Sequence, residues 1–315
     1  MFRVKLTDKV MQAGMPIIAT IGNFDGVHNG HKQLLAQLNH KAQELSAWRM
    51  LITFDVLPRE YFSDKSGTPR LPRIGLLRDK IAVIAKSGLV DEVVVLHFNS
   101  YIANLSPQEF VQQFLQTKLG ITNMIVGHDF NFGYKASGDI KDILRAGISC
   151  NEFSKVKYNG VRISSSLIRE LASEQNLASI SNYLGHNISF TSRVVYGNQL
   201  GRQYGVPTIN LNLRKIRPVL WGIYTGFVYI EGTRYNGVIS IGKNPTVSEG
   251  KVYKVEAHLL DIDLDLYGKI ATVEILHYLR PELKFTDLDA LFTQIHTDMQ
   301  TARDFFAQYR NKNGL

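Results

Sequence analysis

The chain has 315 residues, enough for about two domains of ~150 residues, each able to bury a core. With 44% apolar residues, 10% aromatics, 25 Gly and 9 Pro, it is too apolar for a disordered chain and too poor in Gly and Pro for a fibrous one. Thirty-six Lys plus Arg against 28 Asp plus Glu leave a net charge of +8, and the single cysteine, Cys150, excludes an intramolecular disulfide and a multi-cysteine zinc cluster.

No apolar run approaches the ~18 to 20 residues of a membrane helix, and residues 1–9 lack the apolar core of a signal peptide, so a soluble cytoplasmic protein is expected. The basic excess contains no run of five Lys or Arg and no zinc-finger spacing. It points to an anionic small substrate rather than to nucleic acid, and no membrane or obligate protein partner is expected.

In chain order, short apolar runs at 17–21, 50–54, 92–96 and 123–126 read as buried strands. Between them, 30–45, 76–86 and 107–118 carry apolar residues three and four apart, the period of helices. The third helix is well punctuated: Ser106 as N-cap, Pro107 in the first turn, Glu109 completing a capping box and Gly120 near the end. This alternation predicts an α/β domain, a parallel sheet with helices on both faces. Its ligands should lie at the carboxyl ends of strands, just after Ile21, Phe54 and Val126.

Residues 177–185 read as a connection. Beyond them the runs 190–196, 222–230, 235–241, 254–261 and 269–276 read as strands of an antiparallel barrel or sandwich. A helix over 287–309, with Asp287 as its cap, closes the chain. The expected division is therefore 1–184 and 185–315.

Two segments carry chemistry. The first, Gly22-Asn23-Phe24-Asp25-Gly26-Val27-His28-Asn29-Gly30-His31, runs from a strand into a helix. Glycines there let backbone N–H groups approach phosphate, and a helix N-terminus adds partial positive charge. His28 and His31 can bind phosphate oxygens and neutralise the charge that develops as pyrophosphate leaves an attacked α-phosphorus. A phosphate nucleophile is already ionised at neutral pH, so positioning and charge suffice. The alternatives are an inconsequential helix start, or a metal site that would lack a third ligand.

The decapeptide resembles the HxGH signature of the nucleotidyltransferases. In its GNFDGVHxGH form it is similar to that of the bacterial bifunctional riboflavin kinase/FMN adenylyltransferases, the FAD synthetases. A Rossmann-like N-terminal domain and a six-stranded antiparallel β-barrel with a C-terminal helix are what this resemblance implies. The segment Ile163-Ser164-Ser165-Ser166-Leu167-Ile168-Arg169 resembles ISSTxIR, which implies a polyphosphate clamp by Ser164, Ser165 and Arg169 beside the ATP-binding Gly22, Phe24, Asp25 and Gly30. The segment 126–139 is similar to GxDFxFG…GD, implying that Asp129 and Phe130 shape the flavin side, and 53–62 resembles the family's second-strand loop, with Phe62 beside the substrate. The chain departs from the pattern at Val56-Leu57, at Ser166, and at Asn131 and Ala136, where Arg is usual; Lys135 is the nearest substitute cation.

The second segment, 197–210, places Gly201 and Arg202 in a Gly-rich loop able to fold over a nucleotide, and Thr208 and Asn210 as two oxygen ligands on one strand face, suited to Mg²⁺ with phosphates completing the shell. It resembles the riboflavin kinase GRxxGFPTAN segment. A kinase acting on a hydroxyl needs a carboxylate within reach of it, and Glu256 matches the glutamate of E-x-HLLD; the plainer alternative is an outward carboxylate paired with Lys254 or Lys251. Gly237 to Lys243 matches the GxxxxGK of a P-loop, but Asn244 replaces the Mg²⁺-binding Ser or Thr and Pro245 interrupts the required helix.

The resemblance implies riboflavin phosphorylation by ATP in the barrel and adenylylation of FMN to FAD in the N-terminal domain, with ATP as co-substrate, flavin as substrate and product, and Mg²⁺ as cofactor. The departures leave open a riboflavin kinase whose adenylyltransferase half is weakened or inactive. A non-catalytic flavin- or nucleic-acid-binding regulator rests only on the basic pI of about 9.4.

Overall fold

A computed structural model describes residues 3–5, 14–197, 204–243, 253–262 and 264–313. The chain divides into two compact units, Met1–Leu71 with Lys80–Leu167, and Pro72–Asp79 with Ile168–Leu315.

The first unit is built on six parallel strands: β1 (Arg3–Lys5), β2 (Ile17–Ile21), β3 (Trp48–Phe54), β4 (Glu92–Leu96), β5 (Asn123–Gly127) and β6 (Ser149–Phe153), in the order β1-β4-β3-β2-β5-β6. Every residue of β2 and β4 is buried, which is why, Thr20 and Glu92 apart, these strands read as apolar runs rather than alternating ones. Two chain directions diverge from β2, towards β3 and towards β5, and the crevice at such a switch point is where open parallel sheets place ligands.

Helix α1 (Asn29–Leu45) follows β2 and buries Leu34, Leu35, Leu38 and Ala42. After β3 come α2 (Pro58–Ser66) and α3 (Leu77–Ser87), and after β4 the single turn α4 (Ser100–Asn104). The helix expected over 107–118 begins as drawn, with the Ser106 and Glu109 box closed in both directions. Only Pro107–Glu109 is α, however; Phe110–Lys118 is wound as a π-helix that packs Phe110, Val111, Phe114 and Leu115 against the sheet residues Ile17, Ala19, Met50 and Met124. Apolar spacings of three and four fit either winding over two turns, so the pattern could not separate them.

A two-stranded antiparallel ribbon, β7 (Lys157–Tyr158) and β8 (Val161–Arg162), follows in the first unit; the second unit is a closed antiparallel barrel of β9 (Ser189–Val195), β10 (Thr208–Arg214), β11 (Gly222–Ile230), β12 (Thr233–Lys243), β13 (Tyr253–Leu259) and β14 (Ile270–Arg280), ordered β10-β13-β12-β11-β14-β9. The pairing of β10 with β9 closes it, which removes the exposed sheet edges an open sandwich would leave. Phe190, Leu211, Tyr224, Ile239, Val255 and Val273 fill its core. The C-terminal helix Leu288–Asn313 starts with Asp287 accepting from the Ala290 N–H at 2.8 Å and lays Phe292, Met299, Ala302 and Phe306 on Val206, Phe227 and Leu260.

The expectation of a plain connection at 177–185 is corrected. Leu177–Leu184 is a helix whose Ile180 and Leu184 are buried in the barrel cluster, and Gly185 ends it in the left-handed conformation. Ile74, Leu76, Ile168 and Ala172 belong to the same cluster, so the packing division lies away from the 184/185 boundary drawn from sequence texture.

Candidate functional sites in the two units

The loop from β2 to α1 is held in uncommon backbone. Phe24 and Val27 lie at φ of 46° and 41°, both with side chains buried; such conformations cost about 1–3 kcal/mol each and persist only where the surroundings enforce them. His28 caps α1, its Nδ1 accepting from the His31 N–H at 3.2 Å, which leaves the proton of the neutral ring on Nε2. The two imidazoles stack at 3.7 Å with 11° between their planes. Gly30 makes room for this: a Cβ there would stand 3.2 Å from the His28 ring.

Burial holds His28 down to about 4 and, with the neighbouring His28 and Lys80, holds His31 well below its ordinary value. In the ligand-free protein both rings are neutral at pH 7, so each offers an N–H donor rather than a full positive charge.

A cavity of about 270 Å³ opens here, lined by Gly22, Phe24, His28, Gly30 and His31 on one side and by Asp129, Phe130, Ser164 and Ser165 on the other. Gly22 follows β2 and Gly127 ends β5, the two strands of the switch point. The end of β3 at Phe54 does not line it, because the sheet order sets β3 on the far side of β2. The Ser165 Oγ donates to the Asp25 carbonyl at 3.0 Å, tying Ser165 to the loop, while Ser164 accepts from the Leu167 N–H at 3.2 Å.

Three expected site residues are elsewhere. The Asp25 side chain is buried and is not part of the lining. Phe62 is half exposed on α2, edge-on to Tyr61 and Phe98 and away from the cavity. Arg169, one turn into the helix Ser165–Ser173, donates from Nε to the Pro72 carbonyl at 2.7 Å within the second unit and is not part of the lining.

The cations that line the cavity are Lys155 and Arg162, which the sequence reading missed. Both pair with Asp129, at 3.1 and 2.6 Å, and their hydrogen bonds hold its carboxyl below the usual carboxylate range, Arg162 foremost. Lys135 instead lies over the Tyr134 ring, and Asn131 donates to the Asp129 carbonyl. Arg162 stands immediately before the Ile163-Ser164-Ser165 run, a position that could have flagged it.

In the barrel, strand alternation sends Val255 and Ala257 inward and Lys254, Glu256 and His258 to the other face. A cavity of about 330 Å³ lies on that face, between the barrel wall and Phe292, Asp298 and Met299 of the C-terminal helix. Asn210 stands opposite Glu256 in register and Thr208 opposite His258, and all four line it. Glu256 accepts from Lys254 Nζ at 2.7 Å, so the carboxylate is both paired and at the cavity.

Thr208 and Asn210 also line a smaller hollow of about 40 Å³ beside Gly197, Leu266 and Tyr267, and thus stand where two cavities meet. His258 is fixed by its Nδ1–H donating to the Pro207 carbonyl at 2.8 Å. Arg280, which donates to Asp298 from both Nε and Nη2, completes the wall, and burial pushes Glu282 up. Gly201 and Arg202, and Asn244 and Pro245, lie outside the described residues.

The family model described as FAD synthetase matches residues 11–167, and that described as riboflavin kinase matches residues 184–306. A bifunctional riboflavin kinase/FMN adenylyltransferase of Haemophilus influenzae is 38% identical over 293 residues, covering 91% of this chain and 93% of its own length. The chain belongs to the bifunctional riboflavin kinase/FMN adenylyltransferase family. The family's enzyme from Pseudomonas fluorescens is also 38% identical, over 91% of this chain and 92% of its own.

A solved structure from Streptococcus pneumoniae, named a macrolide-efflux protein, is 25% identical with a TM-score of 0.75 over 96% of this chain and 99% of that one. Among the described residues here, no helix is long and apolar enough to cross a membrane. The two family models fall on the parallel-sheet and barrel parts that carry the two cavities.

Proposed function

We propose that the barrel phosphorylates riboflavin and that the parallel-sheet unit adenylylates the resulting FMN, within catalytic segments divided at 184/185. In the barrel, the ribityl 5′-hydroxyl oxygen attacks the γ-phosphorus of ATP, the bond from that phosphorus to the β–γ bridging oxygen breaks, and the hydroxyl proton passes to Glu256 as ADP leaves. The observation that carries this is the register of Glu256 opposite Asn210, with Thr208 beside it, at the junction of a larger and a smaller cavity. Flavin fits the larger side, walled by Phe292 and Met299, and the smaller hollow marks where the phosphates meet Thr208 and Asn210.

The donor set at the junction suits Mg²⁺. Thr208 and Asn210 present neutral hard oxygens on one strand face, and among the described residues no cluster of three His, Cys, Asp or Glu forms a cage of its own. Mg²⁺ held there would supply charge neutralisation for the phosphates.

In the first unit, an FMN phosphate oxygen attacks the α-phosphorus of ATP and pyrophosphate leaves. The N–H groups of His28 and His31, Ser164 and Ser165, and the two helix N-termini supply donors where negative charge accumulates. Asp129 and Phe130 form the flavin side, and Lys155 and Arg162 supply the cations missing at Asn131 and Ala136. That replacement favours an active adenylyltransferase over a riboflavin kinase with a silent N-terminal half. A cytoplasmic location, with small-molecule partners only, completes the reading.

Incubation with riboflavin, ATP and Mg²⁺ should yield FMN and then FAD by chromatography. Glu256→Ala should abolish FMN formation while FMN supplied from outside is still converted to FAD. His31→Ala should do the reverse, slowing FAD formation by ~10²–10³-fold, the loss of one aimed donor. FMN without FAD from the unaltered chain would refute the adenylyl-transfer assignment.

A further inference from the structure

Beneath the loop that carries the histidine pair lies a cation the reaction above does not use. Lys80, on α3, is 6% exposed, and its Nζ donates to the Asn23 carbonyl at 2.8 Å, the Thr53 hydroxyl at 2.9 Å and the Phe54 carbonyl at 3.1 Å. An ammonium has three protons to donate, and these three oxygens are among its acceptors. Thr53 in turn donates to the Asn23 carbonyl at 3.2 Å. A buried ammonium is costly unless fully hydrogen-bonded, and a packed apolar side chain would stabilise an ordinary helix–sheet contact at lower cost.

The acceptors come from the ends of two adjacent strands: Asn23 just after β2, and Thr53 and Phe54 at the end of β3. One side chain therefore cross-links the two strand ends from behind. In a trans peptide the carbonyl and the next N–H point in opposite directions, so fixing the Asn23 carbonyl on Lys80 turns the Phe24 N–H away from it. Phe24 is also the residue at φ 46°, and its ring lies 4.8 Å from His31. The charge of Lys80 further contributes to keeping His31 unprotonated, after burial and His28.

We propose that Lys80 is a positioning residue for adenylyl transfer: it anchors the Asn23–Phe24 peptide to the end of β3 and so holds the strained loop and the imidazole pair in the geometry that receives the phosphates. This rests on the adenylyl-transfer reading of the cavity. It concerns a group that does not line the cavity and touches no substrate.

The test uses the full chain with Lys80→Met, which keeps the unbranched stem one atom shorter and removes its charge and donors, and Thr53→Val, which keeps the ammonium and removes one of its acceptors. Conversion of FMN to FAD should lose kcat by about 10- to 100-fold in Lys80→Met and by about 3- to 10-fold in Thr53→Val. The KM for FMN should stay within about twofold, and phosphorylation of riboflavin by the same molecules should be unchanged. A kcat for FAD formation within twofold of the unaltered chain in both variants would overturn the proposal. So would parallel loss of both activities with a lowered unfolding temperature, since that marks a merely structural lysine. An unaltered chain that forms no FAD would instead sink the reading on which the proposal rests.

Discussion

At the scale of single residues, the adenylyl-transfer cavity is a dry place for two imidazoles. His28, 7% exposed, is held near 4 by burial rather than at its ordinary 6.5. Between those values the unfolded chain binds a proton that the folded chain refuses, so stability is complete above about pH 6.5 and falls as pH drops towards 4. Fully expressed, the difference is about 3 kcal/mol for this one group. His31 is displaced in the same direction. Urea unfolding of the parallel-sheet unit should show a lower midpoint at pH 5 than at pH 7. His28→Asn, which keeps an N-cap side chain, should flatten that dependence; an undiminished slope would place the titrating group elsewhere. In the proposed reaction the same neutrality would make the pair donors of hydrogen bonds to phosphate, with Lys155 and Arg162 bringing the full charges.

At the scale of elements, the barrel site depends on how closely two strands approach. A Cβ at Gly197, just beyond β9, would fall 2.4 Å from Asn210 Nδ2 on the paired strand β10. Gly197→Ala should therefore displace the Asn210 amide and lower the rate of riboflavin phosphorylation by about tenfold or more, while conversion of supplied FMN continues; equal rates would show that Asn210 need not stay where it is. The elements that set both sites were legible where burial leaves a pattern: the mostly apolar β2 and β4, the capping box at Ser106, the alternation around Glu256. What escaped was decided by tertiary contacts. Lys80 sits among the apolar repeats of α3 like any solvated lysine until the ends of β2 and β3 are brought to it. Arg169 follows the serines in sequence, yet its Nε donates to the Pro72 carbonyl, a partner 97 positions away.

At the scale of the whole molecule, covalent order and packing order differ. Residues 72–79 come from the first half of the chain but belong with the barrel: the Arg73 N–H donates to the Arg217 carbonyl at 2.7 Å, and the Val219 N–H donates to the Arg73 carbonyl at 2.9 Å. Ile74 and Leu76 sit in the same apolar cluster as Phe190 and Tyr224. A gene cut between codons 184 and 185 would thus release a kinase fragment with empty sockets where Ile74, Leu76, Ile168, Ile180 and Leu184 belong, each vacancy costing about 2–5 kcal/mol. Such a fragment should melt well below the intact chain by calorimetry, and a synthetic peptide spanning 72–79 should raise its transition. Evolutionary fission of this enzyme into two free-standing proteins would first require those sockets to be refilled.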